Sequence, residues 1–286
     1  MTYSIAARDA DTRELGIAVQ TRFFAVGQTV PWARPGVGAV ATQAFADRRY
    51  GALGIELLAA GRSPQAALDE LTASDAEAAV RQVGVVAADG RSAAHTGAAC
   101  VPAAGHITGE GFSAQANMMR TEEVWPAMAE AFAASRRPLP WRLLDALDAA
   151  EAAGGDFRGK QSAAILVVRG EPSERPWDDK LLELRVDDHP EPLSELRRLL
   201  ELADGYRALL QLREGDPPPE AVAAVRRLPE LDVRWSETYA ALRDGDVERA
   251  RALVRPLFES EPRWRGYVAS LAARGLLPHA DELLRE

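Results

Sequence analysis

Residues 1–22 read MTYSIAARDADTRELGIAVQTR, and they set the class of the fold. Tyr3–Ala7 alternates in the period of a strand. Arg8–Glu14 is charged and small, with no apolar run, and reads as a turn. Leu15–Gln20, LGIAVQ, is apolar and partly β-branched and reads as a second strand. Strand, polar turn and strand make an antiparallel hairpin that starts at Thr2.

Outward from this hairpin, strands and helix pairs alternate in groups. Gly36–Gln43 is a third strand of small residues, suited to close packing against another layer. Gly51–Ala60 has helical apolar spacing, and Ser63-Pro64 supplies an N-cap and a first-turn proline for a second helix. Gln82–Ala88 and Ser92–Thr96 are strands joined at Asp89-Gly90, a tight-turn pair, and Gly111–Asn117 is another strand. Glu122–Ala134 and Leu139–Ala153 are apolar at i, i+3, i+4, and Gly154-Gly155 stops the second. Ser162–Val168, SAAILVV, is almost continuously apolar, as a strand covered on both faces must be. Leu181–Val186 returns beside it, and Leu193–Leu212 is a long helix. Helix pairs lying between groups of antiparallel strands predict two stacked sheets with helices on both outer faces. No Gly-x-Gly-x-x-Gly or P-loop pattern occurs in a strand-to-helix setting.

Asp216-Pro217-Pro218-Pro219 cannot continue a helix and reads as a stiff spacer. Short helices are expected after it, near 219–227, 235–243, 246–258, 262–273 and 279–285. Residues 240–264 form a helix, a Gly-centred turn and a second helix, similar to one tetratricopeptide-like hairpin. The expected domains are therefore residues 1–213, mixed α and β, and residues 214–286, all helical.

Bulk properties narrow the function classes. The 286 residues carry a net charge of -9, which disfavours nucleic acid and anionic membrane surfaces as partners. Cys100 is the single cysteine, so no internal disulfide forms. No apolar run reaches the ~18 residues of a membrane span. The first residues lack a basic n-region and an apolar h-region. A cytoplasmic location is expected, with association into homo-oligomers.

Several side chains can carry chemistry. Removal of Met1 is favoured by the small second residue and would leave the Thr2 hydroxyl beside a free α-amine. An ordinary α-amine titrates near 7.7–8.0, so hydroxyl and amine form a nucleophile–base pair in one residue. Gln43 and Asn117 end strands and are candidates to donate to a developing oxyanion. Arg22 follows the second strand and suits a substrate carboxylate. Arg158, Lys160 and Gln161, in the loop before the buried strand, suit an anionic group. His95 lies on a strand, and Asp188 sits in the sequence Asp187-Asp188-His189 after the last one. A metal site of Asp187, His189 and His95 is an alternative, although alternation along a strand lets at most two of Asp187, Asp188 and His189 converge.

The segments MTYSIAARD, GIAVQTRFFAVG, GVGAVATQAFADRRYG, RQVGVVAADGRSAAHTGAAC, GHITGEGFSAQANMM, GGDFRGKQSAAILVV and LRVDDHPEPLSELRRLLEL, in this order, resemble the DUF1028 family over about residues 1–213. The resemblance implies an α+β fold, the four-layer α-β-β-α sandwich of Ntn-hydrolase-like proteins, with a small all-α C-terminal domain. It also implies a C-terminal region of the peptidoglycan-binding type. Thr2 then matches the position of an N-terminal nucleophile. Gln20 stands where proteasome-type members place a supporting acid, and no lysine partner is evident on the third strand. The expected activity is hydrolysis of a small amide or other C–N bond, with no cofactor and no metal, on a small substrate that Arg22 and the 158–162 loop suggest is anionic. Two alternatives remain open: a non-catalytic metabolite-binding or scaffold protein, and a metal-dependent hydrolase.

Overall fold

The computed structural model describes residues 2–214 and 223–285. The opening hairpin is β1 (Thr2–Arg8) and β2 (Leu15–Thr21), paired antiparallel with Thr2 opposite Thr21. They lie in the middle of a six-stranded sheet. On one side β2 pairs with β9 (Ser162–Val168), which pairs with β10 (Lys180–Val186). On the other, β1 pairs with β8 (Phe112–Asn117), which pairs with β7 (Gly105–Gly109). A second sheet holds β3 (Pro31–Arg34), β4 (Gly38–Ala44), β5 (Arg81–Ala87) and β6 (Ser92–Thr96) in that order. Every pairing between these strands is antiparallel.

The two strands missing from the sequence reading are both edge strands. β3 begins with Pro31, whose missing N–H an edge tolerates, and β7 carries a glycine at each end. Neither has the apolar alternation that marks an interior strand. β9, by contrast, lies between β2 and β10 and is buried along nearly its whole length, as its sequence requires.

Strand alternation gives each sheet two different faces. α1 (Arg48–Ala59) and α2 (Pro64–Ala73) pack on the second sheet. There Tyr50, Ile55, Leu58, Leu68 and Leu71 meet Val40, Val83 and Val85. Asp47 and Ser63 cap these helices, accepting from the N–H of Arg49 and Ala66. α3 (Val124–Ala134) and α4 (Leu139–Ala152) pack on the six-stranded sheet, α4 against β1, β2 and β9. The inner faces meet through Ala6, Leu15, Ile17 and Val19 from one sheet and Ala39, Ala41 and Val86 from the other. Small residues on β4 let the sheets approach closely. Each Ile, Leu or Val buried here stabilises by roughly 1.5–3 kcal/mol.

Ion pairs of Arg81 with Asp75 and Glu77 hold the β5 entry. Arg81 Nε donates to Asp75 Oδ2 at 2.8 Å, both side chains being buried, and Tyr50 donates to the same oxygen at 3.0 Å. Arg81 Nη1 donates to the carbonyl of Phe45 at 2.6 Å. The Arg81 bond is the main reason that the Asp75 carboxyl titrates at about 2. A folded pKa below the unfolded ~3.9 means that the unfolded chain binds the extra proton. This contribution to stability is therefore present above about pH 4 and is lost as pH falls towards 2. Asp75→Asn removes one of the two carboxylates bonded to the buried Arg81, leaving Glu77 at 2.7 Å, and should cost about 1–3 kcal/mol. Urea melts at pH 7 and pH 3 check both statements: the gap between wild type and variant narrows at the lower pH.

The chain divides into two compact units, Met1–Arg197 and Arg198–Glu286. The division falls within α5 (Pro192–Glu214) and not after it at residue 213. The reason is packing: Ala208 and Leu209 join Val225 and Leu228 in a cluster of the second unit. That unit continues with α6 (Glu230–Arg243), α7 (Val247–Ser260), α8 (Arg263–Ala273) and α9 (Ala280–Leu284). Trp235, Leu242, Val254, Leu257, Val268 and Leu283 form its core. Gly245 turns the chain between α6 and α7 with φ of 77°, a conformation that favours glycine. The expected proline spacer at 216–219 lies outside the described residues, as do residues 219–222 of the helix expected at 219–227, of which 223–225 are helical. Among the described residues no helix is long and apolar enough to cross a membrane.

Candidate active site

Thr2 begins β1 in the register that sets its side chain against Thr21 of β2, with Asn117 of β8 on its other flank. Thr2 Oγ1 donates to Thr21 Oγ1 at 3.1 Å. Both threonines line a cavity of about 320 Å³, together with Phe23, Val26, Thr29, Val30, Gln43, Ala44, Ala46 and Arg158. Thr2 is only 6% exposed, so it meets this cavity and not open solvent.

Behind Thr2 the space between the sheets turns from apolar to polar. Gln43 Nε2 donates to the Thr2 carbonyl at 3.1 Å and to Gln82 Oε1 at 2.7 Å. Asn117 Nδ2 donates to the same two oxygens at 3.3 and 2.8 Å. Gln82 Nε2 donates to the carbonyl of Ala116 and to Thr96 Oγ1. Ser4 Oγ donates to Gln43 Oε1 at 2.6 Å and accepts from Gln115 Nε2 at 2.7 Å. Ser4, Gln43, Gln82, Gln115 and Asn117 are all essentially inaccessible. Buried amides without partners would cost about 1–3 kcal/mol each, so this network is stable because its members satisfy one another.

This geometry revises the roles expected of Gln43 and Asn117. Their amide nitrogens are committed to the Thr2 carbonyl and to Gln82, so they hold the backbone of Thr2 and do not point at an incoming carbonyl. The chain then turns sharply after each of them. Ala44 and Met118 have φ of 70° and 60°, left-handed values that cost a non-glycine residue on the order of 1 kcal/mol. Backbone strain directly after both clamping residues marks this end of the sheets as a built feature.

The other expected site residues do not line the cavity, Arg158 excepted. Arg22 donates to Gln161 Oε1, and Gln161 Nε2 donates to Asp188 Oδ1 at 3.0 Å, forming a chain of contacts at exposed strand ends. Lys160 pairs with Glu191 at 2.6 Å and Glu151 at 3.3 Å, and the bond to Glu191 holds its pKa up. His95 Nε2 bonds the carbonyl of Ala78, and Asp187 is held by Arg185. His95, Asp187 and His189 therefore do not converge, and among the described residues no group of three His, Cys, Asp or Glu could hold a metal. Cys100 is buried against the carbonyl of Arg81, and burial pushes its thiol up.

Gln20 lies on the face of the sheet opposite Thr2, because neighbouring strand residues point to opposite sides. There Tyr3 donates its single hydroxyl proton to Glu151 Oε2 at 2.8 Å. Gln20 satisfies both neighbours when its Nε2 points to the Tyr3 oxygen and to Glu151, with its Oε1 accepting from the N–H of Thr21 at 3.1 Å. Burial and the Glu151 carboxylate push the Tyr3 phenol well above its ordinary range.

The family described as "Family of unknown function (DUF1028)" matches residues 2–196. The chain belongs to the DUF1028 family. A crystal structure of a Silicibacter pomeroyi protein carrying the same family assignment aligns at 34% identity and a TM-score of 0.64, covering 71% of this chain and 88% of that one. The Anbu (ancestral beta-subunit) protein of Yersinia bercovieri aligns at 10% identity and a TM-score of 0.33, covering 76% and 98%, and bears on neither fold nor function. No curated protein matches.

The DUF1028 region thus contains the whole cavity and the whole amide network. Thr21, Gln82, Gln115 and Ser4 were not singled out by sequence reasoning. The available signal was their period: Thr2 and Ser4, Gln82 and Gly84, and Ser113 and Gln115 are each two apart on an inward face. Gly84 belongs to the same pattern, since a Cβ there would lie 2.1 Å from Gln115 Oε1.

Proposed function

We propose that this DUF1028 protein hydrolyses a small amide or other C–N bond, with Thr2 as N-terminal nucleophile once Met1 is removed. On this reading the two facing sheets, each covered by a helix pair, are a four-layer sandwich of the Ntn-hydrolase type. The observation that carries the proposal is the place of Thr2, which lines a 320 Å³ cavity while two buried amides hold its carbonyl. The free α-amine takes the hydroxyl proton as Thr2 Oγ1 bonds to the substrate carbonyl carbon. The C–N bond then breaks, and the leaving amine carries away that proton. The resulting ester is hydrolysed by water, which returns the free hydroxyl and releases the acid. Thr21, 3.1 Å from Thr2 Oγ1, is the positioning residue for the hydroxyl.

A second reading, a metabolite-binding protein on the same fold, is favoured by the commitment of both amide donors to the Thr2 carbonyl. Intact mass together with β-lactone labelling separates the two. Loss of Met1 and a single adduct on Thr2 are expected of the hydrolase. A protein that keeps Met1 and still turns over an amide would refute the mechanism.

A further inference from the structure

One phenylalanine lines the Thr2 cavity, and two more adjoin lining residues along the chain; the packing leaves all three in water. Phe23 lines the cavity and is 71% exposed. Phe45, between the lining residues Ala44 and Ala46, is 60% exposed, and Phe157, next to Arg158, is 47% exposed. Grouped exposure of large apolar side chains marks binding surfaces.

Each ring is exposed on a fixed backbone. The Phe23 carbonyl accepts from Ser162 Oγ, a wholly buried residue of β9. The Phe45 carbonyl accepts from Arg81, which is anchored by Asp75, and the Phe45 N–H donates to the Val80 carbonyl. The Phe157 carbonyl accepts from Arg120 Nη2 at 3.3 Å. Three separate side chains thus hold the backbone that carries the three exposed rings, which lowers the backbone part of the ordering cost of binding.

The charge on the side chains of the cavity wall is balanced. Arg158 is the one charged residue among the lining residues named above, and it pairs with Asp156 at 2.7 Å. The Asp156 side chain is fully buried and also accepts from the Arg158 backbone N–H and Nε. A carboxylate entering here would meet a neutral pair, with Phe23, Val26 and Val30 around it.

From these observations we infer the substrate class: a neutral amide carrying an aromatic ring, seated between Phe23 and the Val26–Val30 wall with its carbonyl towards Thr2. This departs from the anionic substrate expected from the sequence, and it rests on the Thr2 hydrolase reading for turnover but not for binding. Equilibrium binding of benzamide and of N-benzoylglycine, which adds a carboxylate, is measured on the full chain and on its Thr2→Ala and Phe23→Ala variants. Phe23 is exposed, so its removal leaves the core intact. Benzamide should bind at least 10-fold tighter than N-benzoylglycine to wild type and Thr2→Ala, and Phe23→Ala should weaken benzamide at least 10-fold. Tighter binding of N-benzoylglycine, equal binding by Phe23→Ala, or no binding of benzamide overturns the inference. So does a Phe23→Ala change confined to the mass of a self-associated form. Phe23-dependent binding without hydrolysis refutes only the hydrolase reading, whereas Phe23-independent hydrolysis refutes only the substrate class.

Discussion

Thr2→Ala should lower amide hydrolysis by at least about 10³-fold, with little change in stability. Alanine is also a small second residue, so Met1 is expected to leave and the α-amine to remain. The substitution therefore removes the nucleophile and keeps the base. In the fold it deletes one hydrogen bond, Thr2 Oγ1 to Thr21 Oγ1, worth on the order of 1 kcal/mol. The strand stays in place because its hold on the sheets is elsewhere. Tyr3 is fully buried and bonded to Glu151, and the Thr2 carbonyl is held by Gln43 and Asn117. Thr2→Ser keeps a hydroxyl and should retain most activity. Single-turnover kinetics of the three proteins, with intact mass to confirm residue 2 as the terminus, provide the check. A Thr2→Ala protein with undiminished turnover would remove the proposed mechanism.

Gln82→Leu should be among the most damaging single substitutions in the first unit. Leucine is close in volume, so the loss is polar. Gln82 Oε1 accepts from both Gln43 and Asn117, and its nitrogen donates to the Ala116 carbonyl and to Thr96. Removing it takes the shared acceptor from two buried amides and the donor from Thr96 and the Ala116 carbonyl, at about 1–3 kcal/mol for each buried group left unpaired, while Gln43 Nε2 keeps the carbonyls of Thr2 and Gln115. A loss near 4 kcal/mol lowers Tm by roughly 10 °C in a chain of this size. The same change frees the two groups that hold the Thr2 carbonyl, so kcat should fall while KM moves less. Gln43→Leu with Gln82→Leu should cost less than the sum of the single changes, because the first substitution removes one of the donors that the second leaves stranded. Calorimetry on the two single variants and the double variant measures this coupling. A Tm shift for Gln82→Leu below about 2 °C would show that the network contributes little.

Helices α1 to α4 and the interior strands were legible because their signals are local. Ser63-Pro64 caps a helix in any context that admits one, and SAAILVV is too apolar for an exposed strand. The edge strands β6 and β10 were legible too, from the Asp89-Gly90 turn and from the leucines of Leu181–Val186, whereas β3 and β7 were not, because PWAR and GHITG carry no apolar alternation and their pairing is supplied by the sheet. Thr2 was legible as a candidate from its place beside Met1. Arg158 was legible as a cation near the site, but its neutralisation by Asp156 was not, because the burial of Asp156 is a tertiary property.

The sequence by itself determined the opening hairpin and the register of apolar faces that stacks two sheets. It also placed a hydroxyl at the second residue of the first strand. These follow from side-chain period and turn chemistry, which act over a few residues. Only the tertiary structure decided what Thr2 faces. Gln43, Gln82 and Asn117 come from three strands and two sheets, and no spacing between them announces that their amides meet. Whether an amide acts on a substrate or holds a backbone carbonyl depends on where its hydrogen atoms are spent, and long-range packing fixes that.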